Sequence, residues 1–278
     1  MTARVSIVVP AFNNAEHIEA TMRSIIAQSF TDLEIIVADH GSTDATVARL
    51  QQFLADPRVT LLQTEAGGGA ARNWNRVTDA ATAPLLKLVC GDDLLYPDIV
   101  ARQVEAFDDG VVLVASGRDI IDARAKPVFR NRGINGLAGR RRGGFAVRRT
   151  VRDGLNSFGE PACVMIRRSV LQSVGGWAHD EQYLIDEATY VKVLFEGDFV
   201  GIPVALAAFR LSAEQWSVRL GRDQASQATA FHRALLARRP DVVSRSDVRI
   251  GNLRARVNAV SRRAVYALLG QRMTGVTG

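Results

Sequence analysis

What most constrains this chain is where its apolar strand segments run out. Val5–Pro10, Leu33–Ala38, Val59–Leu62, Leu85–Val89 and Val111–Ala115 are short β-rich runs with helical patterns between them. Ile18, Met22, Ile25 and Ile26 mark one apolar helical stripe, and Val47, Leu50, Phe53 and Leu54 another. Such alternation predicts right-handed crossovers and a parallel sheet covered on both faces. Three strands end in polar loops: Pro10-Ala11-Phe12-Asn13-Asn14, Asp39-His40-Gly41-Ser42-Thr43-Asp44 and Gly91-Asp92-Asp93. Ligands of open α/β sheets sit beyond the carboxyl ends of the strands. The three loops therefore predict one polar site, suited to a phosphorylated ligand.

Asn13 and Glu16 have the spacing of a capping box, and Pro97 suits a first helical turn. Further on, Cys163–Ile166 reads as a strand and Val170–Val174 as a short helix ending at Gly175-Gly176. Ile185–Glu196 reads as a helix stopped by Gly197, and Phe199–Phe209 as a buried strand. Residues 123–152, rich in Gly and Arg, are expected as a long mobile loop with a short helix. From about residue 219, Ala, Arg and Leu in helical spacing predict two or three helices, interrupted near Pro240 and Gly251.

A chain of 278 residues can bury a substantial core as one large domain or two smaller ones. No apolar run approaches the roughly 18 residues that span a bilayer, and no basic-then-apolar leader precedes the first strand. Two cysteines are too few for a disulfide framework, so a cytoplasmic location is expected. Charge is unevenly spread. Residues 219–278 carry 12 Arg against 3 Asp, and residues 123–152 carry ten basic residues and no acid, in a chain of net charge +6. Two basic segments thus flank an acidic remainder. They suit a solvated surface, an anionic acceptor or an anionic membrane. Nucleic acid is not expected as a partner, because these residues lie outside the strand-end loops and lack interleaved aromatics. No Gly-x-Gly-x-x-Gly follows the first strand, and no Gly-x-x-x-x-Gly-Lys occurs.

Ser6-Ile7-Val8-Val9-Pro10-Ala11-Phe12-Asn13-Asn14, the Ser24–Phe30 helix end and Asp39–Asp44 resemble family 2 glycosyltransferases, inverting enzymes of the GT-A fold. The likeness continues in order through Ala71-Arg72-Asn73, Gly91–Pro97, Gly175-Gly176-Trp177, Asp186 and Phe209-Arg210, so it covers about residues 4–218. It implies a GT-A-type, Rossmann-like α/β fold: a mostly parallel sheet flanked by helices, with a C-terminal helical extension. On this division residues 1–115 bind the nucleotide sugar, 116–218 form the acceptor and catalytic half of the same domain, and 219–278 are a basic helical extension.

The resemblance also assigns roles. Main chain at Pro10 and Ala11 meets the base, with Asn14 beside them and Phe12 where Tyr is usual. Asp39 reaches the base or ribose, with turn chemistry as its competing role. His40 departs from the usual Asp. Asp44 reads as a structural anion at a helix start. Arg72 faces base or phosphates, against the alternative of a surface salt bridge. Asp92 would hold Mn²⁺ or Mg²⁺, whose remaining positions are filled by phosphate oxygens and water. Cys90 stands where the acidic motif usually has its first acid, and reads as a small apolar strand end rather than a soft ligand. Asp186 is the expected general base, with Glu187 competing and Ile185 where an acid is usual. Glu160, Trp177 and Asp93 are expected on the acceptor side, although Glu160 also suits a turn and Trp177 a buried anchor. Arg210, with Trp216 and Ser217, would cover the diphosphate.

The implied activity moves a sugar from a nucleotide-diphosphate sugar, UDP-sugar favoured, to a hydroxyl of a glycan or lipid-linked saccharide. Such acceptors belong to cell-envelope polysaccharide synthesis at the inner face of the plasma membrane, where the basic segments would give peripheral contact. The alternative is a non-catalytic GT-A-like module that binds nucleotide sugar or glycan.

Overall fold

The computed structural model describes residues 3–179, 184–211 and 224–273. Its first part alternates as expected: β1 (Val5–Ala11), α1 (Ile18–Ile26), β2 (Leu33–Asp39), α2 (Thr46–Leu50), β3 (Val59–Gln63), α3 (Gly69–Asp79) and β4 (Leu85–Leu88). Val5, Ile7, Val8, Val9, Ile35 and Val37 are wholly buried, because helices cover both faces and every side chain of a central strand finds apolar neighbours. Then follow β5 (Leu94–Leu95), α4 (Ile99–Glu105) and β6 (Val111–Ile121). The second part holds β7 (Pro127–Arg132), β8 (Gly139–Arg142), α5 (Gly143–Asp153), β9 (Val164–Arg167), α6 (Arg168–Ser173), α7 (Ile185–Leu194) and β10 (Asp198–Arg210). Two helices close it, α8 (Gln224–Arg238) and α9 (Arg245–Met273).

One sheet runs in the order β3-β2-β1-β4-β9-β6-β10-β5, with β7 on β6 and β8 on β10. β3, β2, β1 and β4 are mutually parallel; β9 is antiparallel to β4 and β6, β10 parallel to β6, and β5 antiparallel to β10. Six of these eight strands therefore point one way, and the sheet is mostly parallel. Register pairs Ala11 with Asp39, and Val8 with Leu88. The loops after β1, β2 and β4 thus emerge at one edge. β6 runs through residues 115 and 116 without a break, so both expected halves share this sheet.

Four local expectations need correction. Residues 123–152 are not a loop but β7, β8 and α5. The Gly residues serve left-handed turns at 133, 136 and 139, and Arg140 binds Asp108 and Asp198. α1 begins at Ile18 without a capping box: Asn13, at φ 51°, turns its Oδ1 to the Thr43 N–H, and the Asn14 carbonyl takes the His17 and Ile18 N–H groups. Pro97 stands before the N-cap of α4, outside its first turn. α9 runs straight through Gly251, where a Cβ would lie 2.0 Å from the Val151 carbonyl oxygen, so that glycine marks close packing on α5 rather than a break.

Candidate active site

The two N-terminal loops brace each other. The Asn13 N–H donates to Ser42 Oγ, Asn14 N–H to Thr46 Oγ1, and Ala15 N–H to Asp44 Oδ2. Asp44 also takes the Thr46 N–H, and these donors hold its carboxyl below the ordinary range against the opposing effect of burial. Asp44 is a structural anion, although it stands just before the N-cap Ala45 and not in the first turn of α2. Asn14 Oδ1 takes the Phe12 N–H, leaving the Phe12 ring exposed. Gly91 is glycine for close approach: a Cβ there would sit 2.7 Å from Asn14 Oδ1.

Asp39 performs the turn chemistry foreseen for it. Its Oδ2 accepts the Gly41 and Ser42 N–H groups at 3.1 and 3.0 Å and closes the turn. Its Oδ1 is buried without a protein partner, and an unsatisfied buried acceptor is costly, so this oxygen suits a ligand N–H or O–H. The His40 Nδ1 lies 2.6 Å from Thr64 Oγ1 while Nε2 is likewise buried without a partner. Burial and the nearby Arg76 lower its pKa, so the ring is neutral at pH 7.

Arg72 is exposed on the first turns of α3, after three glycines with φ of 103°, 85° and 70°. A Cβ on Gly68 would stand 2.0 Å from Arg72 Cδ, so the loop must be glycine for the side chain to lie back over it. A cavity of about 510 Å³ opens here, lined by Gly68, Arg72, Asn75, Arg76, His179 and Ile185. It joins the start of α3 to the start of α7. It lies beside the strand-end loops rather than on Asp92, and two guanidiniums make it suited to anionic ligands.

At the end of β4, Asp92 is half-buried, and its neighbours differ from expectation. Asp93 is 1% exposed and its Oδ1 accepts the Arg210 backbone N–H. Burial first, then Asp92, push its carboxyl well above the ordinary range. Asp93 is thus an internal brace and not an acceptor contact. Arg210 is 2% exposed, with Nε on the Asp92 carbonyl and Nη1 on the carbonyls of Asp122 and Ala123. Rather than covering a diphosphate, its fork ties the Asp92 turn to the end of β6. Trp216 and Ser217 lie outside the described residues.

Asp186 sits in the first turn of α7. Asn156 Nδ2 donates to its Oδ2 at 2.8 Å, and the Glu187 N–H donates to Oδ1 at 2.8 Å. Burial first, and then the Glu160 charge, raise its carboxyl to about 7 against the two donors that hold it down. Glu187 is 3% exposed, bonded to Thr150 Oγ1, and raised to about 8 by burial and by Asp186. The competing base therefore points into the fold. Glu160 pairs with Arg118, itself largely buried, and a quarter of its side chain remains exposed.

Trp177 is 2% exposed, its Nε1 on Thr78 Oγ1 and its ring edge-on to Trp74 at 5.1 Å. It offers no open face to an acceptor, so the buried anchor is the correct reading. Asn75 takes and gives hydrogen bonds with the Trp177 backbone, and a Cβ on Gly176 would stand 2.4 Å from Asn75 Oδ1. The Gly-Gly-Trp turn is thus an anchor of the α7 entry on α3. Asn156 and Arg118 escaped the sequence reading. Asn156 had a signal in Asn156-Ser157-Phe158-Gly159, a turn in which its Oδ1 accepts the Phe158 and Gly159 N–H groups. Arg118, inside a strand, had none.

The acids form one electrostatic unit: burial, then Asp93, Asp92, Asp186 and Glu160 in turn, raise the Cys90 thiol well above its ordinary value. Cys90 is therefore a protonated thiol in these surroundings, which suits a small strand-end side chain. Among the described residues no three His, Cys, Asp or Glu side chains converge as a preformed metal site. A lone half-buried carboxylate such as Asp92 would fit a hard divalent ion whose other positions are filled by phosphate oxygens and water. No described helix is long and apolar enough to cross a membrane.

Known proteins share the sequence pattern and the fold. The chain is 28% identical over 228 residues to MT1568 of Mycobacterium tuberculosis, covering 78% of this chain and 70% of that protein. Other curated relatives named as glycosyltransferases are matched over less than half of their length. S. aureus TarS 1–349, solved with UDP-GlcNAc, superposes with a TM-score of 0.67 at 14% identity, covering 84% of this chain and 66% of that one. The mannosyltransferase PcManGT of Pyrobaculum calidifontis, solved with GDP-Man and Mn²⁺, gives 0.64 at 18% identity, covering 96% and 76%. These structures share the GT-A fold. The family model described as glycosyl transferase family 2 matches residues 6–175, more than half of the sequence, and the chain belongs to that family of glycosyltransferases.

Proposed function

We propose that this glycosyltransferase moves a sugar from a nucleotide-diphosphate donor, a UDP-sugar favoured, to a hydroxyl of a glycan or lipid-linked saccharide by a single inverting displacement. The observation that carries this reading is Asp186: a carboxyl at about 7, held from both oxygens, within electrostatic reach of Glu160 and grouped with Asp92 around Cys90. UDP-GlcNAc in TarS, and GDP-Man with Mn²⁺ in PcManGT, support a nucleotide-sugar donor.

Asp39 Oδ1 takes a base or ribose donor hydrogen, with the main chain of Pro10, Ala11 and Phe12 alongside and Asn14 shaping their loop. Arg72 meets the phosphates. Mn²⁺ or Mg²⁺ on Asp92 would stabilise the charge that develops on the leaving diphosphate. The acceptor oxygen attacks the anomeric carbon from the face opposite the diphosphate. As the new C–O bond forms, the old bond's electron pair leaves with the β-phosphate oxygen and the hydroxyl proton passes to Asp186. Glu160, steered by Arg118, positions the acceptor. A lipid-linked acceptor would be met at the inner face of the plasma membrane, through peripheral contact with its anionic surface.

The test is nucleoside-diphosphate release from a panel of UDP-, GDP-, dTDP- and CDP-sugars with Mn²⁺ and candidate saccharide acceptors. The reading predicts acceptor-stimulated release from one donor class, lost in Asp186→Asn. Release unchanged by Asp186→Asn would remove Asp186 as the base.

A further inference from the structure

We infer that the outward side of α9 docks on an anionic membrane surface. The helix is apolar on two opposite sides. Inward lie Val248, Gly251, Ala255 and Ala259, all buried; a Cβ on Gly154 of the α5 C-cap would stand 2.6 Å from the Ala255 nitrogen. At 3.6 residues per turn, Leu253, Val257, Val260 and Ala264 fall on the opposite side as a second continuous stripe. Leu253 is 64% exposed, Val257 56% and Val260 66%. A helix that only covered α5 would have polar residues there. Arg249, Arg256 and Arg263, all exposed, run along one border of the stripe.

Charge chooses the occupant. Asp247 is the sole acid in residues 245–273, and it is buried and paired with Arg148 and Arg152. The outward side therefore carries positive charge without a counter-charge of its own. A second copy would bring the same arginine row against this one, in a chain already at +6. A bilayer with anionic headgroups accepts both features: aliphatic side chains enter the acyl boundary while guanidiniums stay among the phosphates. This docking rests on the peripheral membrane contact proposed above and gives it a surface, while its measurement needs neither donor nor acceptor.

The experiment is co-sedimentation of the full chain with phosphatidylcholine vesicles, with and without about one third phosphatidylglycerol. The wild type should bind only the anionic vesicles. Leu253→Ser/Val257→Ser/Val260→Ser should bind them at least about tenfold more weakly. Arg249→Gln/Arg256→Gln/Arg263→Gln should also bind more weakly, with a smaller response to salt. All six positions are exposed, so both variants should keep the wild-type unfolding midpoint. Unchanged binding in either variant, or equal binding to neutral vesicles, overturns the inference. So does a concentration-dependent dimer that the triple-Ser variant abolishes, which would give the face to a second copy. Absence of vesicle binding by a protein that a nucleotide still stabilises would overturn docking and leave the transfer reading standing.

Discussion

The edge formed by the loops after β1 and β2 and the centre around Asp186 use polar residues in opposite ways. At the edge, Asn13, Ser42, Asp44 and Thr46 spend their side chains on backbone N–H groups, which fixes the loop shape and leaves Asp39 Oδ1 and His40 Nε2 without partners. Around Asp186, carboxyls crowd one another inside the fold, and Asp93, Asp186 and Glu187 all hold protons more tightly than they would in water. A preformed polar frame suits binding, where the ordering cost is met before the ligand arrives. A buried acid cluster suits proton transfer, where affinity for a proton must match the working pH. On the proposed reading, the difference separates donor recognition from chemistry within one sheet.

The separation can be broken most severely at Asp186. Asp186→Asn keeps the Asn156 contact within reach of a side-chain carbonyl but cannot accept a proton; kcat should fall about 10³-fold while donor affinity changes less than threefold. Steady-state rates beside nucleotide titrations check this, and a parallel loss of both would merge the two regions. Next comes the joint between them. Arg210→Lys cannot reproduce a fork over the carbonyls of Asp92, Asp122 and Ala123, and should cost about 2–4 kcal/mol in denaturant unfolding. At the edge, Asp39→Asn can keep the turn acceptor while converting the unpartnered oxygen into a donor. Nucleotide affinity should weaken about tenfold with kcat nearly unchanged, read by calorimetry and rates together.

The smallest effect is the one that sharpens the comparison most. Between pH 6 and 8 the ionised fraction of a carboxyl at about 7 rises from about one tenth to about nine tenths, so kcat should rise about ninefold. Stability moves the other way. The folded-state value lies above the unfolded one, so the stabilising contribution of this proton is complete below about 4 and is lost as pH rises through about 7. Asp186→Asn should therefore be more stable than wild type at pH 8, by about 1–2 kcal/mol after allowing for its partial exposure. Equal thermal midpoints at pH 8 would show that the carboxyl is not destabilised there.

Strands were legible because burial on both faces favours apolar runs, and β1, β2 and β4 are apolar at most positions, with Ser6, Glu34 and Lys87 among the exceptions. Residues 123–152 were not, since β8 reads Gly-Arg-Arg-Arg and owes its pairing to β10 and its ion pairs to distant acids. Gly251 misled for a related reason: a helix breaker in the sequence is a packing contact once α5 lies across it. Among the site residues, Asp39 and Asp44 were legible because turn and helix-start chemistry is local. Asp93, Trp177 and Arg210 were not. A carboxylate, an indole or a guanidinium has the same identity inside as at a surface, and only the fold shows that the carbonyls of Asp92, Asp122 and Ala123 have claimed the Arg210 fork.

The measurement that tests the account most directly is thermal unfolding of the wild type, Asp92→Asn and Asp186→Asn with UDP, GDP, dTDP and CDP, each with and without Mn²⁺. A ligand at about 100 times its Kd adds about 2.7 kcal/mol, a shift of several degrees. The account predicts an Mn²⁺-enhanced shift with one nucleotide in the wild type, the same shift in Asp186→Asn, and loss of the Mn²⁺ enhancement in Asp92→Asn. No shift with any nucleotide in the wild type, or an undiminished Mn²⁺ effect in Asp92→Asn, would contradict it.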